Sequence, residues 1–205
     1  ALERTKVLEY QMLCRVYALS GPGLDIPAET FSAGSADAFY RQWAHLAASP
    51  RDGAADALAL LENRRPIFDA RRRRLAEFSA RCRSDGAHFY ITHGDAGGNV
   101  ILDGERCFLV DWDDAMYAPP ERDAWFCLHW DWAMAAFAEA LAQNGLNYAL
   151  RPERLAYYCY HWFFHYLTLY LATFFEAGSR GLAGELSGYL GGWIEDNLRY
   201  ADSLP

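Results

Sequence analysis

Two short apolar runs, residues 100–102 and 107–110, flank the turn dipeptide Asp103-Gly104. Such a pattern folds back on itself as a β-hairpin, because Gly supplies the backbone freedom a tight turn needs. Pairing the arms brings together whatever lies just outside them. On one side that is Asn99, and on the other it is Asp111-Trp112-Asp113. His93-Gly94-Asp95 lies a few residues upstream, behind the strand-prone run 89–92, so Asp95, Asn99 and Asp111 can converge at one end of the hairpin. Gly94, Gly97 and Gly98 suit a loop with unusual dihedrals or one that approaches a ligand closely.

Asp and Asn near turns usually cap or bend the backbone, so no single member of this set is informative. Their order, spacing and hairpin context together suit phosphoryl transfer to a hydroxyl. In that chemistry one carboxylate orients the attacking group, while an Asn and a second Asp hold a divalent cation on the phosphates. An all-oxygen donor set of Asn99, Asp111 and, more weakly, Asp113 points to Mg2+. No pair of His and Asp has the spacing of a zinc site.

The segments Ile-Thr-His-Gly-Asp-Ala-Gly-Gly-Asn-Val-Ile (91–101), Leu-Val-Asp-Trp-Asp-Asp-Ala (109–115) and Ala-Pro-Pro-Glu-Arg-Asp-Ala-Trp (118–125) resemble the aminoglycoside phosphotransferase family. These are antibiotic and small-molecule kinases related to choline kinases and, distantly, to protein kinases. The resemblance implies Asp95 as catalytic base and Asn99 and Asp111 as Mg2+ ligands. Asp113 would take a second metal or a water, or face substrate. It implies His93 as a structural residue packing the catalytic loop, and Asp123 as a buried brace that holds the loop through backbone hydrogen bonds. Pro-Pro-Glu-Arg-Asp is similar to the branch that includes spectinomycin-type phosphotransferases.

The chain departs from the family pattern in two places. Four residues usually separate the catalytic Asp from the Asn, whereas only Ala96, Gly97 and Gly98 stand between Asp95 and Asn99. One missing residue shifts Asn99 by up to ~3.5 Å of chain, and two consecutive glycines can let the shorter loop reach the same point. The second departure is the small N-terminal lobe that holds ATP in these kinases. The chain has no glycine-rich loop followed by a strand and no Gly-x-x-x-x-Gly-Lys, and its one lysine, Lys6, falls on a helix-like stretch. The expected architecture is therefore α+β and mainly α. It is the large helical C-terminal lobe of a protein-kinase-like fold with a small catalytic β-hairpin, spanning residues 1–205, with the N-terminal ATP-binding lobe absent from the chain.

Composition agrees: 205 residues suffice for one large or two small domains, and with 52% of them apolar a substantial core can form. A net charge of −8 argues against nucleic acid as a partner. Five cysteines (14, 82, 107, 127, 159) show no zinc or redox spacing and read as buried free thiols, which suggests a reducing cytoplasm. Residues 155–175 lack Asp, Glu, Lys and Arg, but His161, His165, three tyrosines in the first half and two threonines favour a buried helix over a membrane span.

Residues 2–19 resemble the first helix of the family's large lobe, directly after the hinge. The rest reads as helical: residues 54–62, 64–83, 123–142 and 152–176, and a weaker segment 182–200 broken by Gly188 and Gly191-Gly192. Residues 20–35 read as an irregular excursion, and Arg71–Arg74 as a solvated basic face. His129, His161 and His165 read as core or pocket-lining groups.

The expected reaction is transfer of the γ-phosphoryl of ATP or GTP to a small-molecule hydroxyl, with the isolated lobe inactive. Downstream, Asp131 and Glu139 suit a cationic acceptor such as an aminoglycoside or aminocyclitol, and Tyr158 and Trp162 suit stacking on a sugar or enclosing a quaternary amine. Two other classes fit parts of the pattern. One is a binding module with this fold that has lost phosphotransfer. The other is a metal-dependent phosphohydrolase using His93, Asp95 and Asp111, for which further His or Asp ligands are missing at suitable positions.

Overall fold

The computed structural model describes every residue except Ala1, Ser20, Pro22, Ser49, Glu105 and residues 178–180. The chain divides into two compact units: Ala1–Thr30 with Asp85–Leu155, and Phe31–Ser84 with Ala156–Pro205.

The first unit opens with α1 (Leu2–Leu19), which buries Lys6, Glu9, Tyr10, Leu13, Cys14 and Tyr17. These positions recur every three to four residues, the period of one helical face. The stripe packs against α5 (Asp131–Gln143), with the rings of Tyr10 and Phe137 4.9 Å apart. Each fully buried aromatic of this kind contributes about 1.5–3 kcal/mol. α5 ends where Gly145 takes φ +73°, the left-handed conformation that stops helices.

Two small antiparallel ladders lie between these helices in sequence. β1 (Tyr90–Thr92) pairs with β4 (Met116–Ala118), Thr92 opposite Met116. β2 (Val100–Asp103) pairs with β3 (Arg106–Leu109), Val100 opposite Leu109, and Gly104 turns at φ +62°. The hairpin is the expected one. β4 was not expected; its far side receives residues 27–29, through Glu29 N–H to Tyr117 O and Tyr117 N–H to Pro27 O, both 2.8 Å. The remainder of the 20–35 excursion is irregular up to Ala33, although Ser20 and Pro22 lie outside the described residues.

The expected helix 123–142 is instead α4 (Glu121–Ala124), a 3₁₀ turn (Trp125–Cys127) and then α5. Pro119 and Pro120 start α4 early, because proline's fixed φ suits a first helical turn.

The second unit holds α2 (Gly34–Ala48), α3 (Ala54–Ser84), most of α6 (Pro152–Ala177), α7 (Leu182–Leu190) and α8 (Trp193–Ser203). Segments 54–62 and 64–83 join into the single helix α3, which carries Pro66 in its interior. The break between α7 and α8 falls at Gly191-Gly192, and Gly188 is accommodated within α7. Phe39, Phe68, Phe163 and Phe164 form an aromatic centre in this unit.

Arg71 corrects the reading of a wholly solvated basic face. Its guanidinium is buried, ion-paired with Glu195 and Asp202 and placed over the Phe163 ring, which together offset its desolvation. All five cysteines are free and buried, and burial pushes the Cys14 thiol up to about 12. No helix among the described residues is long and apolar enough to cross a membrane.

Candidate active site

The site residues His93, Asp95, Asn99, Asp111, Asp113 and Asp123 all belong to the first unit. β1 delivers His93 and Asp95. The short loop resolves as one 3₁₀ turn (Ala96–Gly98), closed by the Asn99 amide donating to the Ala96 carbonyl at 3.0 Å. The turn sends Asn99 back onto Asp95: its Nδ2 donates to the Asp95 carbonyl at 2.8 Å and faces the Asp95 carboxylate at 3.5 Å. With the amide nitrogen so used, the Asn99 Oδ1 is the end left for a cation. One residue fewer therefore still brings Asn99 and Asp95 into contact.

The two strands of the hairpin bring the second loop alongside. Val110 donates its N–H to the Asn99 carbonyl at 3.0 Å, and its own carbonyl lies 2.9 Å from His93 Nε2. Asp111 follows directly and sits at φ +62°, a left-handed conformation that Asp tolerates better than most residues and that recurs at functional sites. Trp112 covers the buried His93, ring centroids 4.5 Å apart, and its indole N–H donates to Leu109 O at 3.0 Å. Asp95, Asp111, Asp113 and Asp114 are all exposed, and none forms an ion pair among the described residues.

α4 braces this arrangement from below. Asp123 accepts the His93 amide at 3.1 Å, the Gly94 amide at 2.6 Å and the Tyr17 hydroxyl at 2.6 Å. Burial, with the adjacent Asp123 charge, holds the Tyr17 phenol well above its ordinary range, so it stays a donor. The residues before Asp123 were not singled out in the sequence. Glu121 is fully buried and accepts from Tyr148 Oη, the Arg151 amide and Arg154 Nε, at 2.7, 2.7 and 3.1 Å. Desolvation raises its carboxyl pKa, opposed by Arg154. Arg122 is likewise buried. The only signal for either was the Pro-Pro dipeptide, which starts a helix where charged residues then follow. A third unforeseen feature is the pair formed by Lys6 Nζ and Glu9, at 2.8 and 3.0 Å, with both side chains buried.

Among the acceptor candidates, Asp131 and Glu139 are exposed at the start and near the end of α5. Tyr158 and Trp162 belong to the second unit. Tyr158 is 1% exposed and Trp162 9%, so in this conformation they offer a ligand almost no surface.

A cation here fits the donors present. Among the described residues no group of three or more His, Cys, Asp or Glu is arranged to hold a metal. Mg2+ does not require one, since it is commonly bound by one or two carboxylates, with phosphate and water oxygens completing the shell. Asn99 Oδ1 and the Asp111 carboxylate, with Asp113 two residues further along the chain, are hard oxygen donors of that type.

Asp123, expected to be buried, is half-buried but makes the expected backbone hydrogen bonds. A helical fold carrying a His-Gly-Asp loop beside a short hairpin, braced by this Asp, defines a kinase-like phosphotransferase lobe. A family model described as "Phosphotransferase enzyme family" matches residues 12–183. The chain belongs to this aminoglycoside phosphotransferase family. Its fold is similar to that of the spectinomycin phosphotransferase APH(9)-Ia, solved with ADP and spectinomycin (TM-score 0.69, 15% identity, covering 98% of this chain and 65% of that one). It is similar also to the AMP-bound complex of that enzyme (TM-score 0.67, 15% identity, 93% and 66%). The chain thus spans slightly less than two thirds of the length of these structures. No curated protein matches it.

Proposed function

We propose that residues 1–205 are the catalytic and substrate-binding lobe of a phosphotransferase that moves the γ-phosphoryl group of ATP or GTP to a hydroxyl of a small molecule. The observation that carries this reading is the junction at Val110. Through it Asn99 and His93 tie the Asp95 loop to the start of the Asp111 loop, leaving both carboxylates exposed at the same end of the hairpin.

In this reading Asp95 accepts the hydrogen bond of the acceptor hydroxyl and holds its oxygen in line with the phosphorus, receiving its proton as the new P–O bond forms and the γ-phosphorus parts from the β,γ-bridging oxygen, which leaves on the nucleoside diphosphate. Asn99 and Asp111, with Asp113 adjacent, would hold Mg2+, which when bound neutralises charge on the phosphates. Ile101 and Phe108, a cross-strand pair two residues beyond Asn99, are 54% and 46% exposed and offer an apolar face to a nucleobase. A nucleotide-holding lobe supplied outside residues 1–205 completes the cleft. The relatives' complexes with ADP, AMP and spectinomycin support nucleotide use and an aminocyclitol or aminoglycoside acceptor. The exposed carboxylates of Asp131 and Glu139 suit such a cation.

The test pairs Asp95→Asn with Asp111→Asn in the protein completed with its nucleotide lobe. Asp95→Asn abolishes turnover and keeps Mg2+–nucleotide affinity, whereas Asp111→Asn loses both. If Asp95→Asn weakened metal binding as much as Asp111→Asn does, the hydrolase reading would gain. A protein that bound neither Mg2+ nor nucleotide would be a module without phosphotransfer. Residues 1–205 alone should show little or no turnover, and measurable ATP-dependent phosphorylation by them would contradict the need for a second lobe.

A further inference from the structure

We propose that Arg122 is a positioning residue that fixes the Asp95 loop against the Asp111 loop by bridging both from beneath; this deepens, and rests on, the phosphotransfer reading of those two carboxylates. The residue is 7% exposed. Nη1 donates to Thr92 Oγ1 at 3.1 Å, and Nη2 donates to the Asp114 carbonyl at 2.9 Å. Thr92 stands three residues before Asp95, and Asp114 three residues after Asp111. One rigid fork therefore spans the entry to one loop and the exit of the other. Thr92 can accept from Arg122 because its own hydroxyl proton goes to the Met116 carbonyl at 3.0 Å.

Gly94 completes the seat. It sits at φ +88°, and a Cβ there would lie 2.2–2.4 Å from the terminal atoms of the Arg122 guanidinium. The loop passes directly over the fork, and only glycine permits that approach.

The charge is as unusual as the geometry. Arg122 has no carboxylate partner within ion-pairing distance among the described residues. A buried cation without a counter-ion is costly unless negative charge lies close by. The loops it joins carry the exposed Asp95, Asp111, Asp113 and Asp114. Its position thus sets the separation of the two loops and softens the negative potential where a polyanionic phosphate chain would enter. Lysine cannot replace it, since a single ammonium on a flexible stem does not present two donors in a fixed fork.

The experiment uses the protein completed with its nucleotide lobe, carrying Arg122→Lys or Arg122→Met, and reads amide hydrogen exchange at residues 94–99 and 111–115, and Mn2+ binding in the presence of ADP by the EPR signal of free Mn2+. Arg122→Met should quicken exchange in both loops together, leave α6 unchanged, and weaken Mn2+–ADP binding about tenfold or more, the scale of losing an outer support of a metal ligand. Arg122→Lys should fall between, releasing one loop more than the other. If Arg122→Met fails to fold, Arg122→Lys decides. Unchanged exchange in both loops for Arg122→Lys, or uniform loosening of the whole unit, overturns the bridge. Asp111→Asn is the reference for the functional reading. Should it bind Mn2+–ADP as well as the parent chain, phosphotransfer fails at this site while the exchange result still decides the role of Arg122.

Discussion

His93 Nε2 lies 2.9 Å from the carbonyl oxygen of Val110, and this single bond couples the loop carrying Asp95 to the residue that precedes Asp111. The other ring nitrogen, Nδ1, faces the Asp95 amide at 3.3 Å. A nitrogen facing a carbonyl must carry the proton, and one facing an N–H must not. These partners assign a neutral ring protonated on Nε2.

The tautomer is directly observable. A long-range ¹⁵N correlation spectrum of the labelled chain should show His93 as the Nε2–H form at neutral pH; the Nδ1–H form would remove the coupling just described. His93→Ala removes both partly buried bonds and the fully buried ring beneath Trp112. At about 0.5–1.5 kcal/mol for each bond, with some lost packing besides, urea unfolding should report a loss of about 1–4 kcal/mol.

Asp123 is the second joint. Asp123→Asn keeps the shape but turns one of two accepting oxygens into a donor, which then opposes an N–H or the Tyr17 hydroxyl. The expected loss is about 1–3 kcal/mol for Asp123→Asn and more for Asp123→Ala, with about 1 kcal/mol for Tyr17→Phe. Equilibrium denaturation measures all three. An Asp123→Asn variant as stable as the parent would show that the three contacts contribute little.

Gly94→Ala tests the close approach over Arg122. A Cβ at positive φ costs about 1–2 kcal/mol by itself, and the contact then forces the guanidinium off Thr92 or Asp114. A total loss of about 2–4 kcal/mol is expected. In a double-mutant cycle Gly94→Ala should cost less in an Arg122→Met background, because the clash disappears with the guanidinium, giving a coupling of about 1–2 kcal/mol. Strict additivity would mean the loop does not rest on that side chain.

How much of this was legible in the sequence depends on range. The hairpin was readable because its turn and both arms are adjacent in the chain, α6 because residues 155–175 form a long apolar run without charge, and α1 through its resemblance to the first helix of the family's large lobe. β4 is three residues long and pairs with β1 far along the chain, which no local pattern encodes. α3 read as two helices because its surface is strongly charged through residues 62–65 and Pro66 follows. It runs on because Leu61, Phe68 and Leu75 stay on one buried face. Asp95, Asn99 and Asp111 stood out through their hairpin context. Arg122 did not, because a charged residue beside two others reads as surface until the fold covers it. Lys6 and Glu9 have the spacing of an ordinary exposed i,i+3 pair, and only packing against the rest of the unit buries them.

That buried pair sets a pH dependence. Desolvation raises the Glu9 pKa above its ordinary value, and the Lys6 ammonium offsets this only in part. A carboxyl with a raised folded pKa binds its proton more tightly in the native state than in the unfolded chain. Its contribution to stability is therefore fully present below the unfolded value near 4.5 and is lost as pH rises through the folded one. Other groups titrate in the same range, so the comparison must be a difference. The stability of the parent chain minus that of Glu9→Gln, from urea unfolding at a series of pH values, should decline with rising pH across that window and be flat on either side. Replacing Lys6 by Met removes the opposing charge, pushes the Glu9 pKa further up and extends the decline to higher pH. A difference that grew with pH would mean that Lys6 outweighs burial and that the pair stabilises the fold as an ion pair.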